Sequence, residues 1–315
     1  MNDWGIIGHD WAVRRLKSAI ERDQLAQSHL FVGLPQVGKA ALAKATARAL
    51  IGHDERARAL VDSLKHPDLA WLEPDGDTIK VEPIRDLLHT LSLAPVESKY
   101  RVAVVNDSQL MTDGGKNAIL KTLEEPNARV VMILIAPSVE SVLPTISSRC
   151  QVLNLRVVAI TEIKSALLAR GVDETRAQFI ARLSGGRPGW AFRVLQDETL
   201  MQERDQRLND LKELLASNRT KRFAYAERLA RKDNDEIRET LNEWMLFWRD
   251  VCQAERSNLV RNIDHYPYIQ ALSESMSPAV IREVMNEISE SAKNLQRNVN
   301  PRLALDTLLL SLPTL

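Results

Sequence analysis

The residues Gly33-Leu34-Pro35-Gln36-Val37-Gly38-Lys39-Ala40 fit the phosphate-loop pattern G-x-x-x-x-G-K-[S/T] at every defined position except the last. The chemistry of that pattern is polyphosphate binding. Its glycines let backbone N–H groups turn inward around an anion, and its lysine sets a point charge against the outer phosphates. The closing hydroxyl ligates Mg²⁺, and Ala40 has no atom that can. The stretch therefore has three readings: a working nucleotide site, a scaffold whose chemistry has decayed, or a chance match in an alanine-rich chain. The flanks argue against chance, because Ser28-His29-Leu30-Phe31-Val32 reads as a buried strand entering the loop and Lys39 to Leu50 as a helix leaving it.

Other chemistry-bearing residues are sparse. Cys150 and Cys252 lie far apart, with neither metal-ligand spacing nor a disulfide framework, which points to a reducing compartment. The stretch Ile51 to His66 offers only His53 and His66 as soft ligands, too few for a structural zinc site. Asn106-Asp107 follows the apolar run Val102-Ala103-Val104-Val105. A phosphate-loop ATPase places a metal-organising acid at that strand end. Here an amide takes the first position, and Asp107 is open to two readings, a turn cap or a residual functional acid.

The elements that must position these residues alternate. Strands are predicted at Leu69–Leu72, Arg101–Val105, Val130–Ala136 and Gln151–Leu155, and helices at 8–26 and Val81–Leu93. A further helix runs Asn117 to Pro126, stopped by its proline. It carries Glu124 and Glu125 in its last turn, against the helix dipole, which fits either contacts beyond the helix itself or solvated surface carboxylates. Alternating strands and helices imply a parallel sheet covered on both faces. Beyond Thr161 only helical patterns remain: Thr161–Arg170, Glu174–Leu183 and Trp190–Leu195 around the cluster Ser184-Gly185-Gly186-Arg187-Pro188-Gly189, then a wholly helical stretch from Glu203. Ile237, Leu241, Trp244, Met245, Trp248, Val251 and Cys252 form one broad apolar face there, read as core. Asn300-Pro301 starts a last helix to Leu312.

At 315 residues the chain is long enough for roughly two to three domains. Lys+Arg and Asp+Glu both count 42, so no net charge drives nucleic-acid binding, and 5% aromatics exclude a long base-stacking platform. Met1-Asn2-Asp3-Trp4-Gly5 does not open a signal peptide, and no apolar run is long enough to span a bilayer. The expectation is a cytoplasmic protein with no membrane association.

In combination these motifs resemble a bacterial clamp-loader subunit of the AAA+ class. The run Asn117-Ala118-Ile119-Leu120-Lys121-Thr122-Leu123-Glu124-Glu125-Pro126 and Ser148-Arg149-Cys150 carry the resemblance, with His66-Pro67-Asp68 and the helical end of the chain in support. It spans nearly the whole length. It implies an α/β AAA+ core, a parallel sheet with helices on both faces, at 1–157. A small helical lid would follow at 158–202 and an all-α C-terminal collar, the oligomerisation domain, at 203–315. Ala40, Asn106, Ala136-Pro137 and Pro188 (with Arg187 beside it) depart from the motor-type gamma/tau pattern at positions needed for hydrolysis. They fit the delta-prime type, a stator with degenerate ATP machinery.

The resemblance further implies a hetero-pentameric loader of a DNA-directed DNA polymerase III holoenzyme, built with motor-type gamma/tau subunits and a clamp-opening delta subunit. That assembly acts on a sliding clamp and primed DNA. Arg149 would enter a neighbour's ATP site as an arginine finger; on the residue alone it reads as a strand-edge salt bridge, and the flanking motifs favour the finger. Gly33, Gly38, Lys39, Ala40 and Asp107 would form a degenerate nucleotide site with weak ATP or ADP binding, little or no ATPase activity, no required cofactor and no zinc. The rivals are an active motor-type AAA+ ATPase, kept open by Lys39, and a nucleic-acid-binding protein in its own right, opposed by the charge balance.

Overall fold

The computed structural model describes residues 2–127, 129–256, 259–296 and 299–314. The chain divides into two compact units, Met1–Ala177 with Gly186–Ala191, and Gln178–Gly185 with Phe192–Leu315.

The first unit is built on a five-stranded parallel sheet of order β2-β3-β4-β1-β5. Its elements run α1 (Asp10–Glu21), β1 (Ser28–Val32), α2 (Lys39–Ile51), α3 (Glu55–Asp62), β2 (Leu69–Leu72), α4 (Val81–Ser92), β3 (Arg101–Val105), α5 (Asp113–Glu124), β4 (Val130–Ala136), α6 (Pro144–Ser147), β5 (Gln151–Asn154) and α7 (Ile160–Leu168). Because successive strand side chains point to opposite faces, each central strand feeds two cores. Phe31, Val104, Ile133 and Leu153 pack with Leu16 of α1, Leu42 of α2 and Val61 of α3. Leu30, Val105, Leu134 and Ala136 pack with Ile84 of α4, Ile119 of α5 and Ile146 of α6. Every residue of β1, β3 and β4 is buried, which is why these strands read as unbroken apolar runs.

Three boundaries differ from the sequence expectation. The first helix was expected over 8–26, but Gly8 (φ 68) and His9 (φ 56) are left-handed and Asp23 (φ 55) closes the other end, leaving Asp10–Glu21. α3 was not expected in its charged run. It forms because Asp54 caps it, accepting the Ala57 N–H at 2.6 Å, while Ala57 and Val61 are buried. α5 starts at Asp113, earlier than expected: Thr112 caps it, accepting the Gly115 N–H at 3.4 Å, while Gly114 and Gly115 weaken the helical signal of its first turn.

His66-Pro67-Asp68 is a structural device. Asp68, fully buried, accepts the N–H groups of Val96, Glu97 and Ser98 at 2.6, 2.9 and 2.9 Å and faces Arg101 at 3.4 Å. Burial alone would raise its pKa, but those three N–H groups and the guanidinium bring it below the ordinary value. The loop into β3 is thereby fixed.

α8 (Glu174–Leu183) and α9 (Pro188–Gln196) contribute residues to both units. The second unit continues as α10 (Thr199–Leu215), α11 (Arg219–Leu229), α12 (Asn234–Cys252), α13 (Tyr266–Ser275), α14 (Pro278–Gln296) and α15 (Pro301–Ser311). The expected apolar face of α12 forms its core, with Trp244 and Trp248 fully buried beside Leu208, Leu305 and Leu308. Cys252, expected on that face, is exposed, and it shares the outer edge of the stripe with Met245, seven residues earlier and only half-buried. Phe247, outside the expected stripe, is fully buried. Asn300 caps α15 as expected, accepting from Arg302 N and Leu303 N. Arg222 of α11 ties the chain's end down, donating to the carbonyls of Leu214, Leu309, Leu312 and Pro313.

Candidate functional site

Parallel strands end on one edge, and ligands of open α/β sheets bind along it. That carboxyl edge gathers the phosphate loop after β1, Asn106-Asp107 after β3 and Ala136-Pro137 after β4. The Gly33 N–H donates to the Pro137 carbonyl at 3.2 Å. Gly33 cannot carry a side chain, since its φ is 149 and a Cβ would stand 2.3 Å from the Leu155 carbonyl oxygen. Gly38 (φ 117) occupies the N-cap of α2.

Lys39 opens α2 but turns back on the loop that precedes it. Its Nζ donates to the Gly33 carbonyl at 2.5 Å and the Leu34 carbonyl at 3.0 Å. Only 8% of the residue is exposed. Burial pulls its pKa from 10.5 down to about 8, with the Asp107 charge opposing part of that fall. Two contacts that the sequence did not reveal hold the loop in this state. His9 Nε2 sits 3.0 Å from the Val37 carbonyl. The Gly189 N–H, from the first turn of α9, donates to the Gln36 carbonyl at 2.9 Å. A Cβ on Gly189 would lie 2.8 Å from that oxygen, so the approach needs glycine. Gln36 is held at φ 62 without being glycine, a conformation that costs energy. The signal for Gly189 was its place in the glycine cluster; His9 gave none.

Ala40 is exposed on the second residue of α2 and offers no donor atom. Asp107, half-buried and left-handed at φ 48, makes no capping bond with its side chain; it accepts from Gln109 Nε2 at 3.2 Å and faces Lys39 electrostatically. The structure thus brings together Gly33, Gly38, Lys39, Ala40 and Asp107. A nucleotide would meet a loop whose lysine is already engaged with backbone carbonyls.

Arg149 stands elsewhere. It follows α6 and precedes β5, whose first residue, Gln151, pairs with His29 near the start of β1. That is the amino edge of the sheet. The phosphate loop leaves the far end of β1, so a five-residue strand separates the two, a span of roughly 16 Å. Arg149 Nη1 donates to the Thr145 carbonyl at 2.8 Å and Nη2 to Glu124 Oε1 at 2.6 Å. Its side chain remains 35% exposed. Glu124, disfavoured at a helix C-terminus on its own, finds its partner here. Neighbouring Cys150 is half-buried among apolar side chains, and burial pushes its thiol up to about 12, which removes it as a nucleophile.

Among the described residues the cluster with metal-ligand proximity is Asp205, Asp264 and His265. Cations already hold it: Arg204 Nη1 lies 2.7 Å from both carboxylates and Lys212 Nζ 2.6 Å from His265 Nδ1. It is a charge network within the helical unit.

Comparison with known proteins supplies the family. A model described as DNA polymerase III, delta subunit, matches residues 8–159, and one described as DNA polymerase III, delta subunit, C terminal, matches 198–314. DNA polymerase III subunit delta' of Pseudomonas aeruginosa is 30% identical over 243 residues, 72% of this chain and 71% of that protein. The chain belongs to the DNA polymerase III delta' family. The delta' subunit of Bacillus subtilis is 26% identical over 316 residues, covering 95% of this chain and 94% of that one. Subunit gamma of Buchnera aphidicola is 24% identical over 307 residues, 92% and 84% of the two chains. The solved gamma subunit-related protein of Thermotoga maritima aligns over 94% of this chain and 97% of its own at 16% identity, with a TM-score of 0.48. Delta' and gamma relatives both match, so the residues of the site bear on which of the two types this chain follows. The core of this delta' family member is a five-stranded parallel sheet with helices packed on both faces, and the helical unit follows it in sequence. No helix among the described residues is long and apolar enough to cross a membrane.

Proposed function

We propose that the chain is a delta'-type stator subunit of a replicative clamp loader, catalytically silent at its own phosphate loop and active through Arg149 in a neighbour's ATP site. The observation that carries this reading is the separation of the two. Arg149 lies at the amino edge of the sheet, a strand length from its own loop, so any nucleotide it touches belongs to another subunit. An arginine supplied in trans stabilises charge on the transferred phosphoryl group, by as much as ~10⁵-fold in rate.

The loop supports the silent half of the proposal. Ala40 removes one metal ligand, Asn106 takes the place of a metal-organising acid, and Lys39 is bound to the carbonyls of Gly33 and Leu34. Gly33, Gly38, Lys39 and Asp107 would then hold ATP or ADP weakly at most, with no zinc module between Ile51 and His66. The partners in this reading are motor-type gamma/tau subunits and a clamp-opening delta subunit of a pentamer that loads a sliding clamp on primed DNA in the cytoplasm. The division into core (1–157), lid (158–202) and collar (203–315) belongs to the same proposal. The direct test is steady-state ATP turnover by the isolated chain: it should fall far below the roughly 1 s⁻¹ of a slow ordinary enzyme, and turnover at or above that rate sinks the stator reading. The gamma relative's match over 92% of the chain favours the motor-type alternative, which the same assay tests.

A further inference from the structure

We propose that Glu124 is the positioning residue of the trans arginine. This rests on the reading of Arg149 as a finger and adds to it the device that aims the guanidinium.

Arg149 is fixed from two directions. Thr145, in α6, offers its carbonyl to Nη1 at 2.8 Å; Glu124, the last residue of α5, offers Oε1 to Nη2 at 2.6 Å. Ser148 Oγ adds a longer contact to Nη1 at 3.4 Å. A guanidinium has five N–H donors in a rigid plane, and these contacts take at most three. Among the described residues nothing takes the Nε–H or the second N–H of Nη2, which leaves both for an incoming acceptor. A half-exposed arginine otherwise samples many rotamers, and fixing it before the phosphate arrives removes that ordering cost from the reaction.

Glu124 is an odd residue for its place unless it has this task. A carboxylate in a helix's last turn opposes the dipole, and Glu124 with Glu125 puts two at the end of α5. Only Glu124 of this pair is bonded to Arg149. The pair is half-exposed, 35% at the arginine and 50% at the glutamate. Ion pairs of that kind add little to stability, so its loss should be read in catalysis and not in folding. The bond also links α5, which packs on α4 and the sheet, to the short segment between α6 and β5 that carries the arginine. The finger is thereby referenced to the rigid core instead of to its own loop.

The experiment uses the full chain reconstituted with motor-type and clamp-opening subunits, and measures kcat and KM for ATP in DNA-stimulated turnover. Glu124→Ala should lower kcat about three- to tenfold, the scale of freeing one long side chain. KM should hold, because the arginine acts on the transition state. Glu124→Gln, which keeps the acceptor oxygen, should fall between wild type and Glu124→Ala. In an Arg149→Ala background, Glu124→Ala should have no further effect. Unchanged or faster turnover in Glu124→Ala, with Arg149→Ala slow, overturns this inference and leaves the finger standing. A loss that persists on top of Arg149→Ala overturns it too, since Glu124 would then act elsewhere. If Arg149→Ala itself is silent, the finger reading fails first.

Discussion

Restoring the missing metal ligands should not restore the affinity of an ordinary phosphate loop. The variant is Ala40→Thr with Asn106→Asp, which returns a hydroxyl to the loop and an acid to the end of β3. If the site were idle only for want of Mg²⁺ ligands, the double variant would bind MgATP as an ordinary phosphate loop does, at about 1 μM or about −8 kcal/mol. The structure adds an opening cost. Lys39 must leave the carbonyls of Gly33 and Leu34, and hydrogen bonds to a charged group contribute about 1.5–3 kcal/mol each. The Gln36 carbonyl must leave the Gly189 N–H, about 1 kcal/mol more. Freeing Lys39 also relieves the burial that drops its pKa to about 8, about 3 kcal/mol in the other direction. Opening therefore costs about 1–4 kcal/mol net, and binding is left at about −7 to −4 kcal/mol, a Kd of about 10 μM to 1 mM. Isothermal titration of the full-length variant with MgATP reads this directly. Mg²⁺-dependent binding in the low micromolar range would refute the argument and show that the lysine leaves its carbonyls at little cost.

Three further outcomes follow from particular residues. His29 is fully buried in β1, and burial drops its pKa from 6.5 to about 4. The unfolded chain therefore takes up a proton on this group between those values that the folded chain refuses, so its contribution is complete above pH 6.5 and falls on acidification to pH 4, by about 3 kcal/mol in all; denaturant midpoints of wild type and His29→Phe over that range should diverge by this amount, and parallel curves would contradict it. Asp68→Ala strands three backbone N–H groups and a buried Arg101, and should cost about 3–5 kcal/mol by urea unfolding of the first unit's signal, whereas a change below about 1 kcal/mol would remove Asp68 as the organiser of that loop. Elemental analysis of the purified protein should find no stoichiometric zinc, and one tightly held ion per chain would show that the His53–His66 stretch recruits ligands from elsewhere.

The sheet was legible because fully buried parallel strands leave unbroken apolar runs, as in Val130–Ala136, and because a phosphate loop has meaning only between a strand and a helix. The helical unit was legible from the stripe along α12. α3 was missed since its stability comes from an Asp54 cap and two small buried contacts, which a charged run conceals. The start of α5 was hidden by Gly114 and Gly115, poor helix formers in a first turn that the Thr112 cap secures. In the site, spacing identified Lys39 but not its direction; that depends on carbonyl geometry and on Gly189, some 150 residues away in sequence. Glu124 lay between the two cases: its conflict with the helix dipole, shared with Glu125, fitted a partner or a solvated surface equally, and only the fold could single it out and supply Arg149.

Everything turns on which of two cations is catalytic, and one reconstitution decides it. The loader is assembled with wild-type chain, Arg149→Ala, Arg149→Lys or Lys39→Ala, and DNA-stimulated ATP turnover is measured beside a check of assembly. Arg149→Ala should assemble normally and lose turnover at the neighbouring site, by as much as ~10³-fold or more where that site can be isolated. Arg149→Lys should recover little, since an ammonium lacks the planar fork, and Lys39→Ala should run close to wild type. Full turnover in Arg149→Ala with abolished turnover in Lys39→Ala would contradict the account and make this chain a motor.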